Sequence, residues 1–182
     1  MDFCCAIPSD HQAIAALHIK ASQEAYAGIL PNHYLMDILP EIKSRLWEAR
    51  VGNGVDRKLI HLLLAKEGTT LAGFACFNFN EETEFGTYLH NLYVDSDYRR
   101  NGVARRLLSK SIISLPVERI ELPVHLCTYT NNFRARLFYE NLKGQVIQQN
   151  VNMIKHLPEI SVTRYQWPSA RFLYNALATN DL

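Results

Sequence analysis

The stretch His90-Asn-Leu-Tyr-Val-Asp-Ser-Asp-Tyr-Arg-Arg-Asn-Gly-Val-Ala-Arg-Arg-Leu-Leu108 holds the densest chemistry in this chain. It reads as a strand, a polar loop with one glycine, and an amphipathic helix. A loop that enters a helix this way leaves several main-chain N–H groups without internal partners, and the helix dipole adds positive potential there. Such a place suits a phosphate. Gly102 permits close approach of the backbone to a ligand, and the small Ala104 leaves room for it. Arg99, Arg100, Arg105 and Arg106 surround the loop with positive charge. The familiar nucleotide signatures are missing. No G-x-x-x-x-G-K-[ST] run occurs, and Gly52-Asn-Gly54 precedes a strand instead of following one and has no third glycine.

These residues need a scaffold, and the chain supplies one. Residues 3–7 form a short apolar run suited to an opening strand. Ser9-Asp-His-Gln12 matches a capping box, and behind it Ile14, Leu17, His18, Ala21 and Ala25 recur at helical spacing. Gly28 and Pro31 break that helix. Residues 32–39 read as a second short helix stopped by Pro40, and 41–50 as a third. Residues 59–66 and 71–80 are rich in strand formers, with a hairpin signal at 66–70; residues 85–94 are a further strand. Val103, Leu107, Leu108, Ile112 and Leu115 give the next helix its apolar face, and Pro116 ends it. Residues 120–128 read as a strand. Asn131 or Asn132 caps a helix carrying Phe133, Leu137 and Phe138, and Gly144 lies where a C-terminal glycine cap belongs. Residues 145–149 and 160–167 are two last strands, and 169–177 a terminal helix. The order predicts a mixed α/β fold with an antiparallel meander and one or two crossovers. Residues 1–182 read as one domain with no internal boundary.

Composition narrows the partners. Of 182 residues, 48% are apolar and 20% charged, and 19 basic against 18 acidic residues leave a net charge of +1. That balance gives no bulk attraction for nucleic acid or an anionic membrane. The longest apolar run, 59–65, is strand-sized and contains His61, so no membrane span is expected. The N-terminus carries Asp2 and Asp10 and no basic segment, which argues against a secretory signal. Cys4, Cys5, Cys76 and Cys127 form no C-x-x-C pair; they read as buried, reduced thiols in a cytoplasmic protein, with no metal site.

Arg99-x-x-Gly102-x-Ala104 resembles the pyrophosphate-binding motif of the GNAT superfamily of N-acetyltransferases. Leu92-Tyr-Val94 ahead of it and the loop entry Tyr98-Arg99 fit the same pattern. Downstream, Asn132-x-x-Ala135-x-x-Phe138-Tyr139-Glu140 with Gly144 is similar to the second motif of that family. Glu24-Ala-Tyr-Ala-Gly-Ile-Leu-Pro31 looks like its usual opening, and Arg164-Tyr-Gln-Trp167 suits its last strand. The resemblance implies a twisted, mostly antiparallel sheet of six or seven strands with flanking helices. Its fourth and fifth strands, here 85–94 and 120–128, splay apart. It also implies acetyl-CoA as cosubstrate, without a metal, and direct transfer of acetyl to a primary amine in a ternary complex. A non-catalytic acyl-CoA-binding domain of the same fold is the alternative.

On that resemblance, the main chain over Arg100, Asn101, Gly102, Val103, Ala104 and Arg105 meets the diphosphate, with Arg99 beside it. Leu92, Tyr93 and Val94 offer main-chain groups to the pantetheine arm, one of their N–H groups facing the thioester oxygen. Asn132 touches the arm, and Tyr139 serves as general acid toward the thiolate. An amine of pKa ~10.4 is neutral in only about one molecule in 2500 at pH 7, a penalty near 4.6 kcal/mol, so a base is needed. Many relatives carry a glutamate on the fourth strand; Thr87-Tyr-Leu-His-Asn91 has none, and His90 is the candidate in its place. Glu24, Tyr26 and Tyr34 are candidates for the acceptor side. His61, His125 and Cys127 read as structural. The acceptor, a small molecule or peptide amine, depends on residues 28–39, 51–58 and 150–158. These hold His33, Tyr34, Asp37, Asp56, Met153 and His156, a mixture that selects no single amine. The last strands of that family often pair between subunits, so the resemblance allows a homodimer.

Overall fold

The computed structural model describes residues 1–152 and 159–179. Seven strands form one mixed sheet: β1 Asp2–Cys5, β2 Ile60–Glu67, β3 Thr70–Asn78, β4 Thr87–Val94, β5 Val124–Tyr129, β6 Gln145–Val151 and β7 Val162–Trp167, in the order β1-β2-β3-β4-β5-β7-β6. Every neighbouring pair is antiparallel except β4 with β5, which is parallel and touches only at Thr87↔Val124 and Tyr88↔His125. Beyond that contact the two strands part. β4 then finds partners on β3 alone, and β5 on β7 alone.

Alternation along β2 and β3 sorts the helices onto two faces. Leu62, Leu64 and Phe74 pack with Ile14 and Leu17 of α1 (His11–Tyr26) and with Trp47, the last residue of α2 (Leu39–Trp47). Leu63, Ala65 and Ala75 turn the other way, onto Val103 and Leu107 of α3 (Val103–Ile113). A further core joins β5 and β7 to α5 (Ala170–Ala178) through Leu126, Tyr165, Trp167 and Leu173. The remaining helix, α4 (Phe133–Asn141), has no fully buried residue and runs along one lip of the splay.

Local departures from the sequence reading have local causes. The first turn before α1 is a 3-10 turn at Pro8–Asp10, in which the Asp10 carboxylate, not a Ser9–Gln12 pair, accepts the Ile7 N–H at 2.9 Å. Pro40 does not stop a helix: it sits in the first turn of α2, where its missing N–H costs nothing. π-helical segments at Tyr34–Ile38 and Glu48–Gly52 flank that helix. After α4 the left-handed residue is Lys143 (φ 62°), while Gly144 is needed for room: a Cβ there would lie 2.7 Å from the Trp167 ring. Cys4 and Cys5 are exposed, not buried, because β1 is the edge of the sheet; Cys76 is buried and Cys127 half-buried, and all four are free thiols.

Candidate functional site

Where β4 and β5 part, a cleft of about 550 Å³ opens. β4 lines it with Leu92, Tyr93 and Val94. The following loop adds Tyr98, Arg99, Arg100 and Gly102, and α3 adds Val103, Ala104 and Arg105 from its first turn. The remaining walls are Arg134, Ala135, Phe138 and Tyr139 of α4 and Ala21, Glu24 and Ala25 of α1. Arg134 was not anticipated; its only signal was its place in the first turn after the capping asparagine.

The loop is built to receive an anion. Arg100 (φ 66°) and Gly102 (φ 70°) are both left-handed and bracket Asn101, which turns successive N–H groups to one side. Among the described residues, no protein acceptor meets the main-chain N–H of Arg100, Asn101, Gly102, Val103 or Ala104. A left-handed arginine carries strain of order 1 kcal/mol or more, and strain of this kind gathers at functional sites. No side chain caps α3 at Gly102, so the end of the helix is left to a ligand.

The arginines divide into different tasks. Arg99 lines the cleft but is partly committed: its Nε donates to Val94 O at 3.0 Å and its Nη2 pairs with Glu24 Oε2 at 2.7 Å. Glu24 is therefore occupied too, and its other oxygen accepts Ser96 Oγ at 3.1 Å. Arg105 donates to Leu177 O at the end of α5, and Arg106 lies over the Phe3 ring. Arg100 and Arg134 are the exposed guanidinium groups on the cleft wall.

On β4, the Asp95 N–H reaches across to Ala72 O, so by alternation the main-chain groups of Leu92 and Val94 point away from β3 into the splay. Those of Tyr93 turn back toward β3. Its ring faces α1 instead, and its hydroxyl bonds Tyr26 Oη at 2.8 Å. Tyr26 stands edge-on to Tyr129 at 4.7 Å, and with Tyr34 these rings cover Leu30, Leu35 and Leu39 on the α1 side. Neither Tyr26 nor Tyr34 lines the cleft itself. Asn132 does not line it either: its Oδ1 accepts the Ala135 N–H at 3.2 Å and caps α4.

Tyr139 and Phe138 both face the cleft, their rings 5.4 Å apart, although they are adjacent on a helix. The Tyr139 hydroxyl has no protein partner among the described residues, and burial first, then Tyr93, raises its pKa above the ordinary 10. It is a held proton facing the splay.

His90 lies outside the cleft, on the α1 side of β4. Cys76 pairs with Asn91 and Phe77 with Leu89, so His90 is an extra residue, a β-bulge that puts His90 and Asn91 on the same face. Its Nδ1 lies 2.9 Å from Asn91 Oδ1. Burial is the largest influence and lowers its pKa below 6.5; Arg50 and Lys43 act in the same direction, while the Asn91 bond and Glu81 oppose them. The ring is therefore neutral near pH 7. Glu81, in the β3–β4 connection, brings Oε2 to 3.8 Å from His90 Nε2. No sequence signal marked Glu81, because the contact spans two elements.

His125, His61 and Cys127 do not line the cleft. His125 stacks on Tyr88 at 4.5 Å, and its Nδ1 accepts from Arg164 at 2.9 Å; burial and Arg164 lower its pKa to about 4. His61 Nε2 meets Ser114 Oγ at 3.0 Å. Burial pushes the Cys127 thiol up to about 11, which withholds the thiolate a nucleophile would need. Met153 and His156 lie outside the described residues. Among the described residues no group of three or more His, Cys, Asp or Glu could hold a metal ion, and no helix is long and apolar enough to cross a membrane.

Known proteins share this fold. The profile of the Acetyltransferase (GNAT) family matches residues 25–144. Rv2775 of Mycobacterium tuberculosis, named a probable N-acetyltransferase, is 28% identical over 134 residues, 73% of each chain. Among solved structures, the PaiA N-acetyltransferase of Thermoplasma acidophilum in complex with coenzyme A superposes with a TM-score of 0.70. It is 18% identical, and the match covers 91% of this chain and 96% of that one. The yncA acetyltransferase of Salmonella typhimurium with acetyl-CoA gives 0.65 at 18% identity, with 92% of each chain covered.

Proposed function

The chain belongs to the GNAT family of acetyltransferases, and we propose from that premise that it transfers an acetyl group from acetyl-CoA to the amine nitrogen of a small molecule or peptide. One observation carries the reading: five successive main-chain N–H groups, from Arg100 to Ala104, have no partner among the described residues and stand at the mouth of the gap between β4 and β5. A diphosphate fits that donor set, and the exposed Arg100 and Arg134 add charge beside it. A slender arm fits the gap beyond, because the Leu92 main chain and the Val94 N–H point along it, as pairing with a missing strand would require; the Val94 carbonyl is taken by Arg99.

When bound, acetyl-CoA supplies an activated thioester. This chain's own residues then do the following. The loop amides hold the diphosphate. The Leu92 and Val94 main chain aligns the arm and offers an N–H to the acyl oxygen. His90 Nε2, on the opposite face from α3, accepts the proton of the incoming amine, directly or through one water. Tyr139 delivers a proton to the departing thiolate. Tyr26 and Tyr34 border the side from which the amine enters. Glu24 braces the loop and does not contact the acceptor.

Calorimetry with acetyl-CoA and a thiol-release assay over a mixed panel of primary amines test this together. Binding in the micromolar range with turnover on at least one amine is expected. Binding without turnover on any amine would support a non-catalytic acyl-CoA-binding domain. No binding, and no rise in melting temperature with coenzyme A, would remove the reading altogether.

A further inference from the structure

The fourth strand lacks a carboxylate, yet a carboxylate is present. Glu81 arrives from the connection between β3 and β4, and its two oxygens have separate tasks. Oε1 is anchored, accepting Asn78 Nδ2 at 2.7 Å and Arg50 Nη2 at 3.2 Å. Asn78 is itself fixed: it is buried, and its Oδ1 accepts the main-chain N–H of both Asn80 and Glu81 at 3.0 Å. Oε2 takes no hydrogen bond from these anchors and faces His90 Nε2 at 3.8 Å.

The bulge gives this contact its meaning. Because His90 is the extra residue, its ring shares a face with Tyr88 and Asn91, toward α1 and α2, the side to which the proposed function assigns the acceptor. If Nδ1 carries its proton and donates to Asn91 Oδ1, Nε2 presents a lone pair on the Glu81 side. The two residues are nine apart in the sequence, and the β3–β4 connection and the bulge bring them together.

We propose that Glu81 is the positioning residue of a His90–Glu81 pair that accepts the amine proton, standing in for the strand carboxylate this chain lacks. The proposal rests on the acetyl-transfer reading above. In the step it serves, the amine nitrogen bonds to the acyl carbon and the carbon–sulfur bond breaks. The amine proton passes to His90 Nε2, and the thiolate takes its proton from Tyr139, which regains one from solvent. The imidazolium then lies against the Glu81 carboxylate until its proton leaves to solvent. Arg50, Lys43 and His18 also face His90, from the π-helical segment after α2, from α2 and from α1; the two cations disfavour the imidazolium, while the Asn91 bond, Glu81 and the neighbouring Glu82 favour it.

The proton itself is the probe, so no acceptor need be known. The His90 imidazole is titrated by NMR in the full chain and in Glu81→Gln. Loss of one carboxylate at about 4 Å should lower the His90 pKa by roughly half a unit to two units. The ring nitrogen shifts should show the proton on Nδ1 in both. An unchanged pKa, or a proton on Nε2, would overturn the pair. Melting curves and the coenzyme A dissociation constant of Glu81→Gln should match the parent, which separates this effect from loss of structure. Once an amine from the panel is found, Glu81→Gln should cut kcat about 10-fold or more with little change in the KM for acetyl-CoA. In a His90→Gln background it should cost nothing further. If His90→Gln leaves turnover intact, His90 is not the base and the pair falls with it. If His90→Gln is impaired and Glu81→Gln is not, only the role of Glu81 fails.

Discussion

A phenol can protonate a departing thiolate only if it still holds its proton when the thiolate forms. Tyr139 meets that condition, since burial keeps its pKa above 10 while a thiol titrates near ~8.5, so the transfer is somewhat uphill. The benefit is correspondingly modest. Tyr139→Phe is expected to lower kcat roughly 10- to 1000-fold and to leave acetyl-CoA affinity nearly unchanged, measured by steady-state rates beside calorimetry. A variant of full activity would assign the proton to water. Tyr139 was legible in the sequence because its motif is local, nine residues from Asn132 to Glu140. Glu81 was not, since nothing within the Asn80–Glu81–Glu82 stretch records which strand residue will lie opposite. Arg99 is a third case: its type suits phosphate, and only the fold shows that Glu24 and the Val94 carbonyl also hold it.

At the scale of elements, α1 serves as a strut for the loop. Lys20 Nζ meets Asp95 Oδ1 at 2.8 Å, and one turn later Glu24 holds Arg99 and Ser96. The loop therefore keeps its left-handed Arg100 and its outward amides before any ligand arrives. Glu24→Gln should raise the acetyl-CoA dissociation constant roughly 3- to 10-fold without altering kcat at saturation, read by calorimetry and kinetics. An unchanged constant would mean the loop stands unaided. The same helix docks on α2 through His18, whose Nδ1 accepts Trp47 Nε1–H at 3.0 Å, and burial lowers its pKa to about 2. Below pH 6.5 the unfolded chain binds a proton at position 18 that the folded chain refuses. Stability from this group is thus complete above 6.5 and is lost as pH falls toward 2, by up to about 1.4 kcal/mol per pH unit. His18→Asn, which keeps an acceptor for Trp47, should show a shallower fall of melting temperature between pH 7 and 5. Some slope persists through His125, whose pKa is lowered to about 4. Parallel curves would refute the assignment. The helix of His18 was plain from its periodicity, whereas its hydrogen bond to Trp47, 29 residues on, was not.

At the scale of the molecule, the proposed function depends on two parallel strands that touch briefly and then diverge. No periodicity within either strand predicts divergence, and only the resemblance suggested it. The structure shows what fixes the closed end. Gly86 has φ +104°, and a Cβ there would stand 2.2 Å from Pro123 O, the carbonyl that accepts the Thr87 N–H at 2.8 Å. The backbone of β4 thus lies directly against the chain entering β5, and the strands separate from this point. Gly86→Ala combines a left-handed penalty of about 1–2 kcal/mol with a clash against main chain, which cannot rotate away, for a total of about 2–5 kcal/mol. For a chain of this length that corresponds to a melting temperature lower by roughly 5–15 °C. Because the clash forces the closed end open, the gap should widen as well, and coenzyme A should bind more weakly in Gly86→Ala even well below its melting temperature. Gly54→Ala is the control: its φ of +102° imposes similar strain, but nothing lies within 4 Å of the added Cβ and the residue does not line the cleft. It should lose stability and keep its affinity. Equal losses of affinity in both variants would show that the closed end does not set the width of the site.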